Sequence, residues 1–160
     1  MESFIEVLVK KKNTLYDRIK VIIPIVLIII FDIFCLRPSS ILFAILPIIL
    51  IASCFAIYCL VIYNEIEFEY ILVNDELDID KIIGKSKRKK VITVKKNQIA
   101  DYDSVKAVDY AKYKKQSNKI IIVASDKESE NNYYIALNDN RKTLIILDKV
   151  DEIYKILKKR

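Results

Sequence analysis

Histidine and tryptophan are missing from this sequence of 160 residues, and glycine occurs only once, at Gly84. Without histidine, the chain can build neither a Ser-His-Asp nor a Cys-His catalytic group, and it has no imidazole to bind a metal. A single glycine is too few for a P-loop or a dinucleotide-binding loop, because both need several glycines at fixed spacing. We therefore expect a protein that is not an enzyme, with no catalytic residues, no cofactor and no metal site.

Cysteine is scarce and confined to one part of the chain. Cys35, Cys54 and Cys59 all lie within apolar stretches, and the polar remainder of the chain has none. A polar domain without cysteine can have no disulfide, no catalytic thiol and no zinc ribbon, which suits a domain that folds in the reducing cytoplasm. The three cysteines are expected to be small apolar packing residues, as free cysteines commonly are.

Long apolar runs, by contrast, dominate the first 63 positions. Residues 21–36 and 41–63 form two such runs, separated by the break Arg37-Pro38-Ser39-Ser40, and the second run has 23 residues without a charge. About 20 apolar residues in a helix cross the ~30 Å hydrocarbon core of a bilayer. The sequence is therefore divided into three predicted parts: a cytoplasmic N-terminal segment (1–20), a transmembrane helical hairpin (21–63) and a cytoplasmic β-rich domain (64–160).

Basic residues precede the first apolar run and are rare in the turn between the two runs. The turn contains only Arg37, whereas the segment before the first run contains Lys10, Lys11, Lys12, Arg18 and Lys20. Because cytoplasmic loops are enriched in Lys and Arg, both termini are predicted to be cytoplasmic. A cleaved signal peptide is the alternative interpretation of the first run, but Asp32 and Phe34 stand where its cleavage site would need small residues.

Local patterns predict the elements around these runs. Residues 4–9 are rich in β-branched side chains, and they would form either a strand of the cytoplasmic sheet or a helix in the membrane interface. Thr14 and Asp17 match a capping box, so the first helix is predicted to begin there. Pro47 predicts a modest kink in the second helix.

The polar domain is predicted to consist mainly of antiparallel strands. Apolar and acidic residues alternate over 65–72 and again over 77–83, on either side of the turn pair Asn74-Asp75. Further β-branched runs are predicted as strands near residues 90–95, 120–124, 133–137 and 143–147, the last two forming a hairpin.

A helix is predicted to close this domain at its C-terminal end. Val150, Ile153, Tyr154 and Leu157 form one apolar stripe, and Asp148 is the expected cap. The pattern of residues 99–119 is ambiguous, because apolar and polar residues alternate poorly there. The segment would form a further strand, a mobile loop or both. The expected fold class is therefore α+β: a transmembrane hairpin followed by a small antiparallel domain or capped β-barrel with a C-terminal helix.

Acidic side chains at three places could carry chemistry. Asp32 lies inside the first apolar run, where it would either approach Arg37 at the outer face or mark an ion pathway in an oligomer. Asp78 and Asp80 share a strand face, as do Asp101 and Asp103 if that segment is extended, and such pairs can bind Mg²⁺ or Ca²⁺. A solvated strand face is the favoured interpretation of both pairs.

The strongest charged feature is the basic segment, defined here as Lys85, Lys87, Arg88, Lys89 and Lys90. One hypothesis is that it docks on anionic lipid headgroups, to which each cation contributes about 1 kcal/mol. The alternative is a solvated hairpin end whose charges protect a sheet edge from aggregation. Nucleic-acid binding is a third interpretation, since aromatic and basic residues interleave over 110–115, but a domain tethered to the membrane rarely has nucleic acid within reach.

Three segments resemble an uncharacterised family of clostridial two-span membrane proteins. They are Phe4-Ile5-Glu6-Val7-Leu8-Val9-Lys10, the run from Glu69 to Ile82, and the run from Lys85 to Val91. The resemblance implies a bacterial cell membrane location and this order of parts, but the family has no assigned activity. The strand order with a closing helix is also similar in layout to bacterial pleckstrin-homology-like (PH-like) domains, and fold alone does not fix function.

These observations predict a non-enzymatic integral membrane protein that presents a cytoplasmic interaction module. Its expected partners are the lipid bilayer, with possible contact to anionic headgroups, and an unidentified membrane protein or a second copy of itself. The alternative function is a small oligomeric membrane component that acts in transport or permeability, with Asp32 as its polar element.

Overall fold

A computed structural model describes residues 4–37 and 41–158, which form two compact units. The helical unit contains residues 13–37, 41–65 and 83–85, and the sheet unit contains residues 4–12, 66–82 and 86–158. The chain thus begins in the sheet unit, passes through the helical unit and returns to the sheet unit. Most of the predicted break between the apolar runs, Pro38-Ser39-Ser40, lies outside the described residues.

The first helix of the helical unit, α1, spans Leu15–Cys35 and begins at the predicted capping box. The Thr14 hydroxyl oxygen accepts a hydrogen bond from the Asp17 backbone N–H at 3.2 Å, and the Asp17 carboxylate accepts one from the Thr14 N–H at 3.2 Å. Two of the free donors at the helix start are satisfied in this way, which fixes where α1 begins.

The second helix, α2, spans Leu46–Tyr63 and follows a 3₁₀ turn at Ile41–Ile45. Pro47 therefore lies in the first turn of α2 rather than in its interior. Proline at that position removes no intrahelical hydrogen bond, so the kink predicted there is not needed.

One helical stretch, Phe43–Tyr63, is long and apolar enough to cross a membrane by length and composition. The charged residues Asp17, Arg18, Lys20 and Asp32 interrupt the apolar character of α1. The predicted transmembrane hairpin over residues 21–63 is therefore not confirmed as a pair of spans, although both runs are helical.

The first sheet of the sheet unit has the order β1-β2-β3-β4. Its strands are β1 (Phe4–Lys10), β2 (Ile66–Val73), β3 (Glu76–Ile83) and β4 (Lys87–Lys95). Strand β1 pairs with β2 antiparallel along its whole length, from Phe4 opposite Val73 to Lys10 opposite Glu67. The N-terminal segment is therefore a strand of the sheet and not an interfacial helix.

The second sheet has the order β5-β7-β8-β6. Its strands are β5 (Ile99–Ser104), β6 (Lys119–Ile122), β7 (Tyr133–Leu137) and β8 (Thr143–Leu147), and the predicted β7–β8 hairpin is confirmed. Strand β6 pairs with β8 in parallel, which departs from the all-antiparallel expectation. The segment left open at 99–119 forms β5 and a helix, α3, at Val108–Gln116.

The core lies between the inner faces of the two sheets and is closed by the C-terminal helix, α4 (Asp151–Lys158). Tyr70 and Leu72 from the first sheet, Ile145 from the second and Ile153 from α4 are fully buried there. The predicted α+β class and closing helix are thus confirmed. Asp148 does not act as the expected side-chain cap of α4, because its oxygens accept hydrogen bonds from the backbone N–H and hydroxyl of Ser125 at 2.5 and 2.7 Å.

Helix α3 covers the outer face of the second sheet. The rings of Tyr110 and Tyr113 pack on the buried ring of Tyr134, with centroids 5.4 and 5.9 Å apart. These two tyrosines were part of the interleaved aromatic and basic pattern at 110–115. Because their rings pack against the sheet, the base-stacking role suggested by that pattern is not supported.

Candidate functional site

The turn between β3 and β4 lies against the end of α2 within the helical unit. The backbone N–H of Gly84 donates a hydrogen bond to the carbonyl oxygen of Glu65 at 2.9 Å. Gly84 and Lys85 both have positive φ, 61° and 59°, as in the tight turns that join hairpin strands. A Cβ atom on Gly84 would lie 2.7 Å from Cγ2 of Ile62, so the only glycine of the chain stands where a side chain would not fit.

Three of the five cations of the basic segment have carboxylate partners. Arg88 pairs with Glu69 at 2.9 Å and Lys90 pairs with Asp78 at 2.9 Å, both within the first sheet. Lys85 approaches Glu65 at 3.7 Å within the helical unit. Carboxylates on β2, on β3 and just before β2 therefore neutralise much of a charge run that looks uniformly basic in the sequence.

The ion pairs change the acidity of their members in opposite ways. A hydrogen bond from Thr93 lowers the pKa of Asp78, and the contact with Lys90 lowers it further. The contact between Lys90 and Asp78 in turn raises the pKa of Lys90. Burial raises the pKa of Glu69, and the charge of Arg88 only partly offsets this effect. The side chain of Glu69 is almost fully buried, so removing it from water outweighs a single ion pair with an exposed arginine.

Lys87 and Lys89 are the two cations of the basic segment with no carboxylate partner in residues 4–37 and 41–158. Both are exposed and lie two positions apart at the start of β4, so they share one face of that strand. An exposed ammonium group can contact any nearby anion. These two lysines are the part of the predicted site that remains available to a partner.

Asp32 contacts the other helix. The hydroxyl of Ser53 on α2 donates a hydrogen bond to Oδ1 of Asp32 at 2.9 Å. An approach to Arg37 was one of the two interpretations of this carboxylate, and the contact that the structure shows is with Ser53. Because a polar group in an apolar setting needs a hydrogen-bond partner, this contact accounts for Asp32 as a link between α1 and α2.

Three of the other four carboxylates singled out in the sequence have partners, whereas Oδ1 of Asp80 is buried and has no hydrogen-bond partner among the described residues. Asp78 accepts hydrogen bonds from Thr93 and Lys90, Asp101 from the Tyr134 hydroxyl, and Asp103 from Lys158 at 2.6 Å. Over the described part of the chain, no group of three or more acidic or cysteine side chains is arranged to hold a metal ion.

Sequence reasoning missed the acidic partners Glu65, Glu69 and Asp78. For Asp78 a usable signal was present, because acidic positions alternate along β3 and the next strand begins with the basic segment. Opposite charges on neighbouring strands of one sheet are expected to pair. Glu69 lies on β2, one strand further from β4, and Glu65 precedes β2. Ser53 carried no comparable signal, since a serine in an apolar helix is common without any charged partner.

Comparison with protein-family models identifies the family of the chain. The model described as "Bacterial PH-like domain (DUF6106)" matches residues 1–160, so the chain belongs to that family. Comparison with curated proteins and with solved structures gives no match.

Proposed function

We propose that this member of the bacterial PH-like family is a non-enzymatic integral membrane protein whose sheet unit docks on anionic lipid headgroups through Lys87 and Lys89. The observation that carries the proposal is the hydrogen bond between Gly84 and Glu65, which holds the β3–β4 turn at the end of α2. Lys87 follows Gly84 by three residues, so if α2 crosses the membrane, the chain connection keeps Lys87 within about 10 Å of this end of α2. The same proposal includes the two-span layout that the resemblance to clostridial membrane proteins implies.

The pairing of β1 with β2 supports two crossings rather than one. Strand β1 precedes α1 and strand β2 follows α2, yet they are antiparallel neighbours from end to end. A chain that crossed the bilayer once between them would leave the two strands on opposite sides. If α2 crosses, α1 is therefore expected to cross as well, with both termini cytoplasmic. A reporter fused after Arg160 would be active only in the cytoplasm, and activity outside the cell would contradict the proposal.

The charge on the exposed lysines suits an anionic surface. Each cation near such a surface contributes about 1 kcal/mol, and the attraction falls off over about 10 Å at 0.1 M salt. Arg88 and Lys90 are held by Glu69 and Asp78, so we assign the contact to Lys87 and Lys89. The expected interaction is therefore weak and sensitive to salt. A weak contact is sufficient for a domain that the helices already hold at the membrane.

Hydrogen exchange of the full chain in lipid nanodiscs tests this proposal. Residues 84–90 should exchange more slowly in discs that contain phosphatidylglycerol than in discs of phosphatidylcholine alone, and high salt should remove the difference. The double variant Lys87→Gln/Lys89→Gln should lose the difference at any salt concentration. The matched control is Lys112→Gln/Lys115→Gln, which removes the same charge from the exposed side of α3 and should behave as the wild type.

Equal exchange of residues 84–90 in both kinds of disc would contradict the docking proposal. Loss of the difference in the α3 control alone would move the contact to that helix. Protection of residues 84–90 that is independent of lipid charge and persists after the lysine substitutions would instead indicate a protein partner or a second copy.

A transport or permeability role is the second candidate, and the contact between Asp32 and Ser53 is the observation that bears on it. A carboxylate between two helices is the usual kind of element in a proton or ion pathway. Asp32→Asn keeps the hydrogen bond to Ser53 and removes the charge. Unchanged ion flux in proteoliposomes that contain this variant would exclude a role for the Asp32 charge in transport.

A further inference from the structure

A groove of about 790 Å³ runs between the two helices of the helical unit. Lys20 and Val21 contribute to it from α1, and Ala56, Cys59 and Tyr63 contribute from α2. Ala56 and Cys59 are three positions apart and therefore lie on the same face of α2. The groove's volume falls within the range of about 300–1,000 Å³ that is typical of small-molecule sites.

The chemistry of the groove changes along its length. Lys20 and Asn64 line it near the beginning of α1 and just after the last residue of α2, and the remaining lining is apolar apart from the hydroxyl of Tyr63. Lys20 lies over the ring of Tyr16, 5.0 Å from its centroid, and has no carboxylate partner in the described ranges. The groove therefore has the ammonium group of Lys20 at one end and an apolar surface along the rest.

We propose that this groove binds one anionic phospholipid. An acyl chain would lie against Val21, Ala56 and Cys59, and the phosphate would contact the ammonium group of Lys20. This match of charge and apolar surface favours a phospholipid over a second helix, which would leave Lys20 buried without a counter-charge. The inference rests on the membrane location in the proposed function, and it assigns a bound lipid that is separate from the surface contact of Lys87 and Lys89.

Native mass spectrometry of the full chain in detergent, titrated with phosphatidylglycerol or phosphatidylcholine, tests the inference. Wild type should retain one phosphatidylglycerol per chain in preference to phosphatidylcholine. Ala56→Trp fills the groove and should weaken this retention about tenfold or more. Ile48→Trp is the matched control, because Ile48 is exposed on the same helix but does not line the groove, and it should bind as the wild type does.

Lys20→Gln separates the headgroup contact from the acyl-chain contact. This variant should still retain lipid but lose its preference for phosphatidylglycerol. Wild-type retention by Ala56→Trp would overturn the proposal. So would a wild-type dimer that Ala56→Trp converts to a monomer, because the groove would then hold a second copy. Lipid retention without protection of residues 84–90 would leave this inference standing while the docking function fails.

Discussion

Two buried tyrosines differ in whether their hydroxyl groups have hydrogen-bond partners. The Tyr70 hydroxyl donates to the carbonyl oxygen of Val123 at 2.7 Å and also lies near Asp148. The Tyr102 hydroxyl is buried without a partner among the residues that the structure describes. Burial raises the pKa of both groups, so neither hydroxyl ionises in the usable pH range. The same substitution should therefore have opposite consequences at the two positions.

We predict that Tyr70→Phe lowers the free energy of unfolding by about 1–3 kcal/mol, because it leaves the Val123 carbonyl without its donor. Tyr102→Phe should leave stability unchanged or raise it, since it removes an unsatisfied polar atom and keeps the ring contacts with Tyr133 and Tyr154. Urea unfolding in detergent, followed by near-ultraviolet circular dichroism, measures both. An equal loss in the two variants would mean that the hydrogen bond from Tyr70 to Val123 does not stabilise the fold as predicted.

Glu69 gives a prediction about pH. Its folded-state pKa is raised above 4.5 by burial, with Glu6 and Asp80 adding to the effect and Arg88 opposing it. A carboxyl whose pKa is raised on folding supports the folded state below its ordinary pKa, and this support is lost as the pH rises through the raised value. Glu69→Gln cannot ionise and keeps an oxygen that can accept the hydrogen bond from Arg88.

The free energy of unfolding of Glu69→Gln, relative to the wild type, should therefore rise as the pH increases above 4.5, the ordinary pKa of this carboxyl. Comparing the two proteins at each pH cancels the contributions of Asp78 and Asp103, whose lowered pKa values act in the opposite direction. The check is urea unfolding of both proteins across this range. A difference that does not change with pH would show that Glu69 does not titrate there.

At the scale of elements, the β3–β4 turn depends on one residue. Gly84→Ala would place a side chain in a left-handed backbone conformation and against Ile62, so we expect a loss of about 1–3 kcal/mol and faster proteolysis at Lys85 and Lys87. The double variant Gly84→Asn/Ile62→Ala should lose less stability than Gly84→Ala. Asparagine tolerates the left-handed conformation, and the shorter side chain at position 62 relieves the clash. Wild-type stability of Gly84→Ala on its own would show that the turn does not need its contact with α2.

Most elements could be predicted from the sequence because their signals are local. The capping box at Thr14 and Asp17, the alternation along β2 and the stripe along α4 each need only a few neighbouring residues. Helix α3 was missed because its lysines and tyrosines form a weak stripe, and packing on Tyr134 stabilises it. The parallel pairing of β6 with β8 depends on how the chain returns after α3, which no local pattern records.

The site shows the same limit. The basic segment was visible in the sequence, but the pairing of Arg88 with Glu69 and of Lys90 with Asp78 depends on strands that are about 10 to 20 residues apart in the chain. The sequence could therefore identify a region of positive charge. Only the sheet separates the cations that are already neutralised from Lys87 and Lys89.

At the scale of the whole molecule, β1 is part of the fold although α1 and α2 separate it from the rest of the sheet unit. Its inward side chains Ile5, Val7 and Val9 pack against the core. A fragment of residues 64–160 lacks these side chains and exposes the edge of β2, so we predict that it aggregates or remains partly unfolded. Addition of a peptide of residues 1–12 should recover soluble folded material, which heteronuclear NMR can detect. A well-folded fragment without the peptide would contradict this prediction.

The interrupted order of the sheet unit also has a consequence for biosynthesis. Strand β1 leaves the ribosome before both helices, and its partner β2 is completed only after residue 73 has been added. At about 5–20 residues per second, the first strand waits for several seconds without a neighbour. With the helices in the membrane as proposed, their delivery to the translocation machinery precedes closure of the sheet, and a failure of that delivery would leave an unpaired strand exposed to chaperones and proteases.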